Sequence, residues 1–351
     1  MITTGRSLVR TLFQNKLLWL IAFVISSVLL AILLTQMDHA AFVRIVKTLE
    51  PNYLIAALAF LIGEAIFTSL RIKLFASEKP AVTDALYANG WYMILLNMLP
   101  ARLGEVAAIW VFEKYLGQTR GAAMISIIAQ RLFDIIMLSV LFLIVLGMAT
   151  AIVPSPLLIV IALLLVCCAV GVLLRLEQAL SIIAATMLQR HWRFKNWRRV
   201  LLRLVLQART WRRHNIQSNQ MLKAIALTLL KWTCNLGIVS CLLFSVGTPL
   251  SWPEALSISA AYNYLAIVPV QTIGGLGLSE AGLALMLGLT GIATAEAIAF
   301  GVFARIVILL FPFVFFVVVW GSRAWRLGVF SRVPAASASP TNIEPANKVK
   351  G

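Results

Sequence analysis

Charged side chains are scarce in this chain, and acidic ones are the scarcest. Only 12% of the 351 residues are charged, with 13 Asp and Glu in total, whereas 61% are hydrophobic. A soluble domain is about 25% charged and about 45–50% apolar, and its core could not hide this much apolar surface. The composition therefore excludes a soluble enzyme, a disulfide scaffold and a disordered chain, and it indicates a multi-span membrane protein.

Cysteine and histidine are also few. Four cysteines lie within apolar runs, which is typical of small packing residues in buried helices, and three histidines are scattered. No Cys/His spacing suits a metal, and the sequence has no phosphate-binding loop and no Ser/His/Asp grouping. We therefore predict no catalytic residue, no metal and no cofactor, and we expect a transporter rather than an enzyme.

Six apolar runs are long enough to cross a bilayer. They lie at 17–35, 53–70, 121–150, 156–174, 222–246 and 292–320. Two further apolar regions, 84–116 and 253–289, are broken by Pro, Gly and charge. The run at 17–35 is too long for a cleaved signal, so we expect it to be retained. The sequence predicts an all-α integral membrane protein with about six full spans and two re-entrant helical hairpins.

The basic residues are distributed unevenly about these spans. If residues 1–16 are cytoplasmic, 24 of the 30 Lys and Arg fall on the cytoplasmic side and two on the other. This pattern predicts that both termini are cytoplasmic, and it explains the net charge of +17 without any nucleic-acid partner. The assignment treats 71–79, including Arg71, as a cytoplasmic loop.

A basic segment at 176–220 and a polar tail at 321–351 complete the predicted cytoplasmic parts. Residues 190–213 hold three Trp among eight Arg, with an apolar stripe at helical spacing that includes Ala208. This pattern is typical of an amphipathic helix that lies on the cytoplasmic leaflet and binds its anionic lipids. The tail is rich in Ala, Ser and Pro, and we expect it to be disordered.

The order of span, span, broken hairpin and span occurs twice, over 17–150 and 151–320. A Glu, a Gly and an Arg recur at matched spacing. They are Glu105, Gly117 and Arg131 in the first half, and Glu280, Gly291 and Arg305 in the second. The first half starts inside and ends outside, and the second does the reverse. The sequence therefore predicts an inverted-topology repeat whose hairpins enter from opposite faces, an arrangement typical of transporters.

Nine charged residues fall within these apolar segments. They are Glu64, Arg102, Glu105, Arg131, Asp134, Lys231, Glu280, Glu296 and Arg305. Each costs roughly 2.5–3.5 kcal/mol near the bilayer centre, so we expect them to line a polar interior. Arg131 and Asp134 are three residues apart on one helix face, as a structural ion pair or as an arginine presented to an anionic headgroup. Lys231 either faces the interior or snorkels to the surface.

The broken regions add further candidate residues. Pro100 and Pro269 stop helices, and the glycine run at 274–277 exposes backbone N–H groups that hold anions. Glu280 opens the next helix, with either a capping role or a role as a titratable gate. The predicted substrate-binding set is Asn97, Arg102, Glu105, Arg131, Asp134, Gly274, Gly275, Gly277, Glu280 and Arg305.

Three motifs together resemble a known family. They are Pro100-Ala-Arg102-Leu-Gly104-Glu105, Arg131-Leu-Phe-Asp134 and Gly274-Gly275-Leu-Gly277-Leu-Ser-Glu280. The chain resembles, over most of 15–325, the flippase-like family that includes the transmembrane domain of lysylphosphatidylglycerol synthases. The resemblance implies a bacterial or archaeal inner-membrane protein that handles lipid headgroups, such as aminoacylated phospholipids or lipids of polyprenyl-linked glycan and hopanoid pathways. About 30 residues follow the last span, so we expect the aminoacyl-transferase domain of the bifunctional synthases to be absent.

Three functional hypotheses remain open. The first is translocation of a phospholipid or lipid-linked saccharide across the inner membrane, with Arg102, Arg131 and Arg305 binding phosphate and the neighbouring carboxylates orienting them or titrating. The second is an intramembrane transferase that uses Glu105 or Glu280 as base. The third is a non-catalytic subunit of an envelope assembly complex, whose protein partner docks on the segment 190–213.

Overall fold

The computed structural model describes residues 31, 35, 38–76, 79–99, 103–148, 156–175, 178, 205–209, 218–265 and 278–326. These ranges are helical and contain no strand. The helices are α1 (His39–Lys47), α2 (Pro51–Phe75), α3 (Val82–Met98), α4 (Leu103–Leu116), α5 (Arg120–Met148), α6 (Pro156–Leu174), α7 (Ser218–Ser245), α8 (Trp252–Leu265), α9 (Leu278–Gly288) and α10 (Thr294–Arg326).

Four helices in these ranges are long and apolar enough to cross a membrane. They are α2, α5 over Arg120–Val145, α7 over Asn219–Ser245 and α10 over Thr294–Gly321. Four predicted spans therefore coincide with membrane-length helices, and the chain is a multi-pass α-helical membrane protein. The span predicted at 156–174 is the helix α6 and stays a predicted span. The span predicted at 17–35 lies almost wholly outside the described residues, as do 1–16 and the tail beyond 326.

Helix α2 has two faces of opposite character. Its exposed face is strongly apolar and carries Ile55, Leu58, Ile62 and Ile66. Its buried face includes the small residues Ala57, Ala65 and Ser69 at helical spacing, together with Leu61 and Ile72. Apolar side chains that face outward suit lipid, and small residues on the inner face let a neighbouring helix approach closely.

The neighbour on that inner face is α7, which runs antiparallel to α2. At one end of the pair the Glu50 N–H donates to the Ser245 carbonyl at 2.8 Å. Near the other end Arg71 lies 3.5 Å from the Thr228 hydroxyl. Between them the Phe60 ring packs on Gly237, where a Cβ would lie 2.9 Å from the ring. The pair forms the centre of the bundle and supplies two walls of the site described below.

The helix contacts follow the same pattern in the two predicted halves. The first helix of each broken region packs on the last helix of the other half, so that α3 contacts α10 and α8 contacts α5. Within each half α4 contacts α5, and α9 contacts α10. The turns before α5 and α10 contain Gly117 at φ 68° and Gly291 at φ 85°, a conformation that favours glycine. The matched spacing in the sequence therefore corresponds to matched turns.

Each broken region forms two helices that pack on one another. The region 84–116 becomes α3 and α4, and the region 253–289 becomes α8 and α9. The N-terminus of α8 is capped by Glu254, whose carboxylate accepts hydrogen bonds from the Ser251 N–H and hydroxyl, both at 2.8 Å. The tips of both regions, including Pro100 and Pro269, lie outside the described residues.

The contact between α3 and α4 depends on Gly104. A Cβ at this position would lie 2.6 Å from the Leu95 carbonyl oxygen and closer still to the Leu96 Cα. Because these are backbone atoms, the two helices must separate to admit a methyl group. We expect Gly104→Ala to lower the free energy of unfolding by about 2 kcal/mol or more, measured by unfolding in detergent.

The matched control for that variant is Gly171→Ala on α6. Nothing lies within 4 Å of a Cβ built there. An exposed Gly→Ala change in a helix is neutral or slightly stabilising. Equal stability of the two variants would contradict the close packing of α3 on α4.

Candidate functional site

A buried carboxylate, Asp134 of α5, stands at the centre of a group of charges. Arg71 of α2 reaches it with both terminal nitrogens, at 2.5 and 3.1 Å. Lys231 and Trp232 of α7 also donate to it, at 3.3 and 2.9 Å. Three of the four membrane-length helices therefore meet at this carboxylate.

The geometry explains how these charges are tolerated inside the bundle. Two parallel hydrogen bonds from a guanidinium to a carboxylate are among the stronger polar contacts in proteins. The Arg71 residue is only 3% exposed, and the Lys231 ammonium also lies 3.6 Å from the centroid of the Trp232 ring. Buried charges that are paired and hydrogen-bonded in this way fix the positions of α2, α5 and α7 relative to one another.

Arg131, one helical turn before Asp134, extends the group toward the first broken region. Its guanidinium lies 3.6 Å from the Asp134 carboxylate, so the predicted ion pair is present. It also contacts Glu105 of α4 at 2.9 Å and donates to the Tyr92 hydroxyl of α3 at 2.6 Å. We call Arg71, Glu105, Arg131, Asp134 and Lys231 the Asp134 network.

The network is closed at one end and open at the other. Arg71 and Asp134 are buried, whereas the side chains of Arg131 and Glu105 are 31% and 20% exposed. A ligand could therefore reach Arg131 and Glu105 without unpacking Arg71 and Asp134. Chemically, the open end offers a guanidinium and a phenol hydroxyl, which together suit an oxyanion such as phosphate.

The second half carries a matching pair, Glu280 of α9 and Arg305 of α10. Arg305 Nε lies 3.8 Å from Glu280 Oε1, within ion-pair distance but too far for a hydrogen bond. Gly301 lets the helices approach here, since a Cβ on it would lie 3.3 Å from the Glu280 Cα. The pair lines a small cleft with Tyr262 and Val239. Glu105 and Arg131 are 26 residues apart and Glu280 and Arg305 are 25 apart, and both pairs are in contact, at 2.9 and 3.8 Å.

The structure brings part of the predicted set together. Glu105, Arg131 and Asp134 lie in one network, and Glu280 and Arg305 form the second pair. Asn97 instead donates to the Met93 carbonyl of its own helix at 2.8 Å. Glu296 is exposed in the first turn of α10 and lies outside the network. Arg102, Gly274, Gly275 and Gly277 lie outside the described residues.

One placement corrects a sequence-based expectation, and a second decides between two alternatives that the sequence left open. Arg71 was assigned to a cytoplasmic loop, but α2 continues to Phe75 and carries Arg71 inward to Asp134. The apolar residues Ile72, Leu74 and Phe75 beyond Arg71 were the available signal. Lys231 faces the interior rather than snorkelling, because Asp134 and the Trp232 ring hold it there. Tyr92 and Trp232 were missed because uncharged aromatic residues in apolar runs look like ordinary packing residues.

The fold and the site together define a class: a multi-pass α-helical membrane protein with a buried charge network between its spans and its first helical hairpin. Comparison with known families is more specific. Residues 19–315 match the model of the lysylphosphatidylglycerol synthase TM region, so the chain belongs to that family, as its motifs suggested. No curated protein and no solved structure matches the chain.

Proposed function

We propose that this protein moves a phosphate-bearing lipid, either a phospholipid or a lipid-linked saccharide, between the leaflets of the bacterial inner membrane. The observation that carries the proposal is the Asp134 network, which has three cations among membrane-length helices and opens at Arg131. A headgroup inside the bilayer must exchange its hydration for charged and hydrogen-bonding groups of the protein. Family membership supports a role in lipid modification or transport.

Arg131 is the proposed phosphate-binding residue. Its planar guanidinium suits two phosphate oxygens, and Glu105 now occupies that position at 2.9 Å. An incoming phosphate would replace Glu105. Because Glu105 and Tyr92 belong to α4 and α3, that exchange would loosen the first hairpin from α5 and so link headgroup binding to hairpin movement.

The second pair, Glu280 and Arg305, is the proposed site on the other side of the membrane. The matched helix contacts support an inverted repeat with two re-entrant hairpins that meet near the midplane. In this scheme the headgroup passes from Arg131 to Arg305. Arg102 and the glycines at 274, 275 and 277 are further proposed contacts at the hairpin tips.

The proposed orientation has both termini in the cytoplasm, which the uneven distribution of basic residues supports. The segment 190–213 is then proposed to bind anionic lipids of the cytoplasmic leaflet. Ala208 in this segment is buried among Phe75 at the end of α2 and Ile125 near the start of α5. The charge distribution assigns both of these helix ends to the cytoplasmic side.

Leaflet exchange of headgroup-varied fluorescent lipids in proteoliposomes tests the proposal. We expect Glu280→Gln to slow exchange roughly tenfold, which corresponds to about 1.4 kcal/mol, because Arg305 loses the negative charge that lies 3.8 Å from its guanidinium and orients it. Glu296→Gln is the matched control, since it removes a carboxylate that is exposed and outside both pairs.

The outcomes separate translocation from the transferase hypothesis. No exchange of any lipid by folded wild-type protein would contradict translocation. A product of changed mass after incubation with a donor and a lipid would favour the transferase. Equal exchange by Glu280→Gln and Glu296→Gln would remove the second pair from the pathway.

A further inference from the structure

Glu64 lies in the membrane-length helix α2 and makes no ion pair with the Asp134 network. No cation within the described ranges lies in ion-pair distance of its carboxylate. Its direct partner there is neutral: the Asn235 amide of α7 donates from Nδ2 to Glu64 Oε1 at 3.0 Å. A partly buried carboxylate with this partner is poorly compensated in a membrane-spanning bundle.

The oxygen of the Asn235 side-chain amide has no hydrogen-bond donor among the described residues. Asn235 Oδ1 is buried and accepts no hydrogen bond from the described residues. An ionised Glu64 offers only acceptors, so it cannot satisfy this oxygen. A protonated Glu64 can, because its O–H donates to Oδ1 while Oε1 still accepts from Nδ2. The acid and the amide then form two parallel hydrogen bonds, and no buried polar atom of the pair is left unsatisfied.

We infer that Glu64 and Asn235 form a proton-binding site, and that Glu64 takes up its proton together with an anionic lipid headgroup. The charged and titratable groups that face Glu64 are Lys231 and Cys234 of α7, Asp134 of α5 and Arg71 of its own helix. Lys231 is held by Asp134 at 3.3 Å, so it stays one helical turn from the amide that binds Glu64.

Charge balance links the proton to the headgroup. The Asp134 network has three cations and two carboxylates, so an ionised Glu64 makes the whole group neutral and a protonated Glu64 leaves one net positive charge. A phosphodiester headgroup without a cationic group carries one negative charge. Proton and anion therefore favour each other's binding, and by linkage the effect is reciprocal. This coupling rests on the proposed function, whereas the proton site itself does not.

Infrared spectroscopy of the full-length protein in phosphatidylcholine nanodiscs tests the proton site. We expect a carboxylic-acid C=O band that disappears as the pH rises, is absent in Glu64→Gln and is retained in Glu296→Gln. Glu64→Gln should fold with unchanged or higher stability, since glutamine reproduces both hydrogen bonds of the protonated acid. An unchanged band in Glu64→Gln, or a marked loss of stability in it, would overturn the inference.

Binding of two fluorescent probes to the same nanodiscs tests the coupling. We expect phosphatidylglycerol to bind wild type about tenfold more tightly below the titration of Glu64 than above it, and phosphatidylcholine with the same chains to show no such change. Glu64→Gln should bind phosphatidylglycerol tightly at every pH. Binding of phosphatidylglycerol that is independent of pH would overturn the coupling. If neither probe binds while the band is present, the proton site is supported and the proposed translocation of a phospholipid is contradicted.

Discussion

Asp134→Asn is expected to lower the free energy of unfolding by about 3–5 kcal/mol, the range found when one partner of a buried ion pair is removed. Arg71, Lys231 and Arg131 all direct nitrogens at this one carboxylate. The amide keeps the size of the side chain but loses the negative charge. The three cations of the Asp134 network are then left with at most two nearby carboxylates, those of Glu105 and Glu64. The measurement is equilibrium unfolding in mixed detergent micelles, followed by tryptophan fluorescence.

Glu113→Gln is the matched control for Asp134→Asn. Glu113 accepts from Arg120 at 2.8 Å, but both side chains are well exposed, and an exposed ion pair contributes about 0–1 kcal/mol. A loss of stability in Asp134→Asn no greater than that of Glu113→Gln would mean that the network does not hold α2, α5 and α7 together.

Arg131→Ala is expected to slow lipid exchange about a hundredfold while the protein stays folded. Removing one preorganised donor to a moving anionic group costs about 2.7–4 kcal/mol in activation free energy. Stability should change little, because Arg131 is 31% exposed and water can replace it beside Glu105. Leaflet exchange in proteoliposomes measures the first effect, and unfolding in micelles measures the second.

Two further variants sharpen the Arg131 prediction. Arg131→Lys keeps the charge but loses the planar fork, so its exchange should fall between those of wild type and Arg131→Ala. Arg120→Ala removes an arginine from the exposed pair with Glu113 and should exchange lipid as wild type does. If Arg131→Ala and Arg120→Ala exchange lipid equally fast, Arg131 does not bind the headgroup.

The amino-acid sequence by itself determined which of the described segments form membrane-length helices. Burial of apolar side chains in lipid acts on each segment separately, so the runs at 53–70, 121–150, 222–246 and 292–320 each coincide with a membrane-length helix. The interruptions also depend on local properties. A closely similar spacing of Glu, Gly and Arg accompanies a glycine turn and a Glu/Arg contact in both halves.

The tertiary structure alone decided which charges from distant parts of the chain meet. A charge at the end of an apolar run looks the same in sequence whether it faces the headgroups or turns inward, and Arg71 turns inward because Asp134, 63 residues away, lies there. Glu64 and Asn235 are 171 residues apart and meet because α2 and α7 are antiparallel. Ion pairs and hydrogen bonds between different helices act over only a few ångströms. Which side chains meet therefore depends on how the helices pack, and no local pattern in the chain encodes that packing.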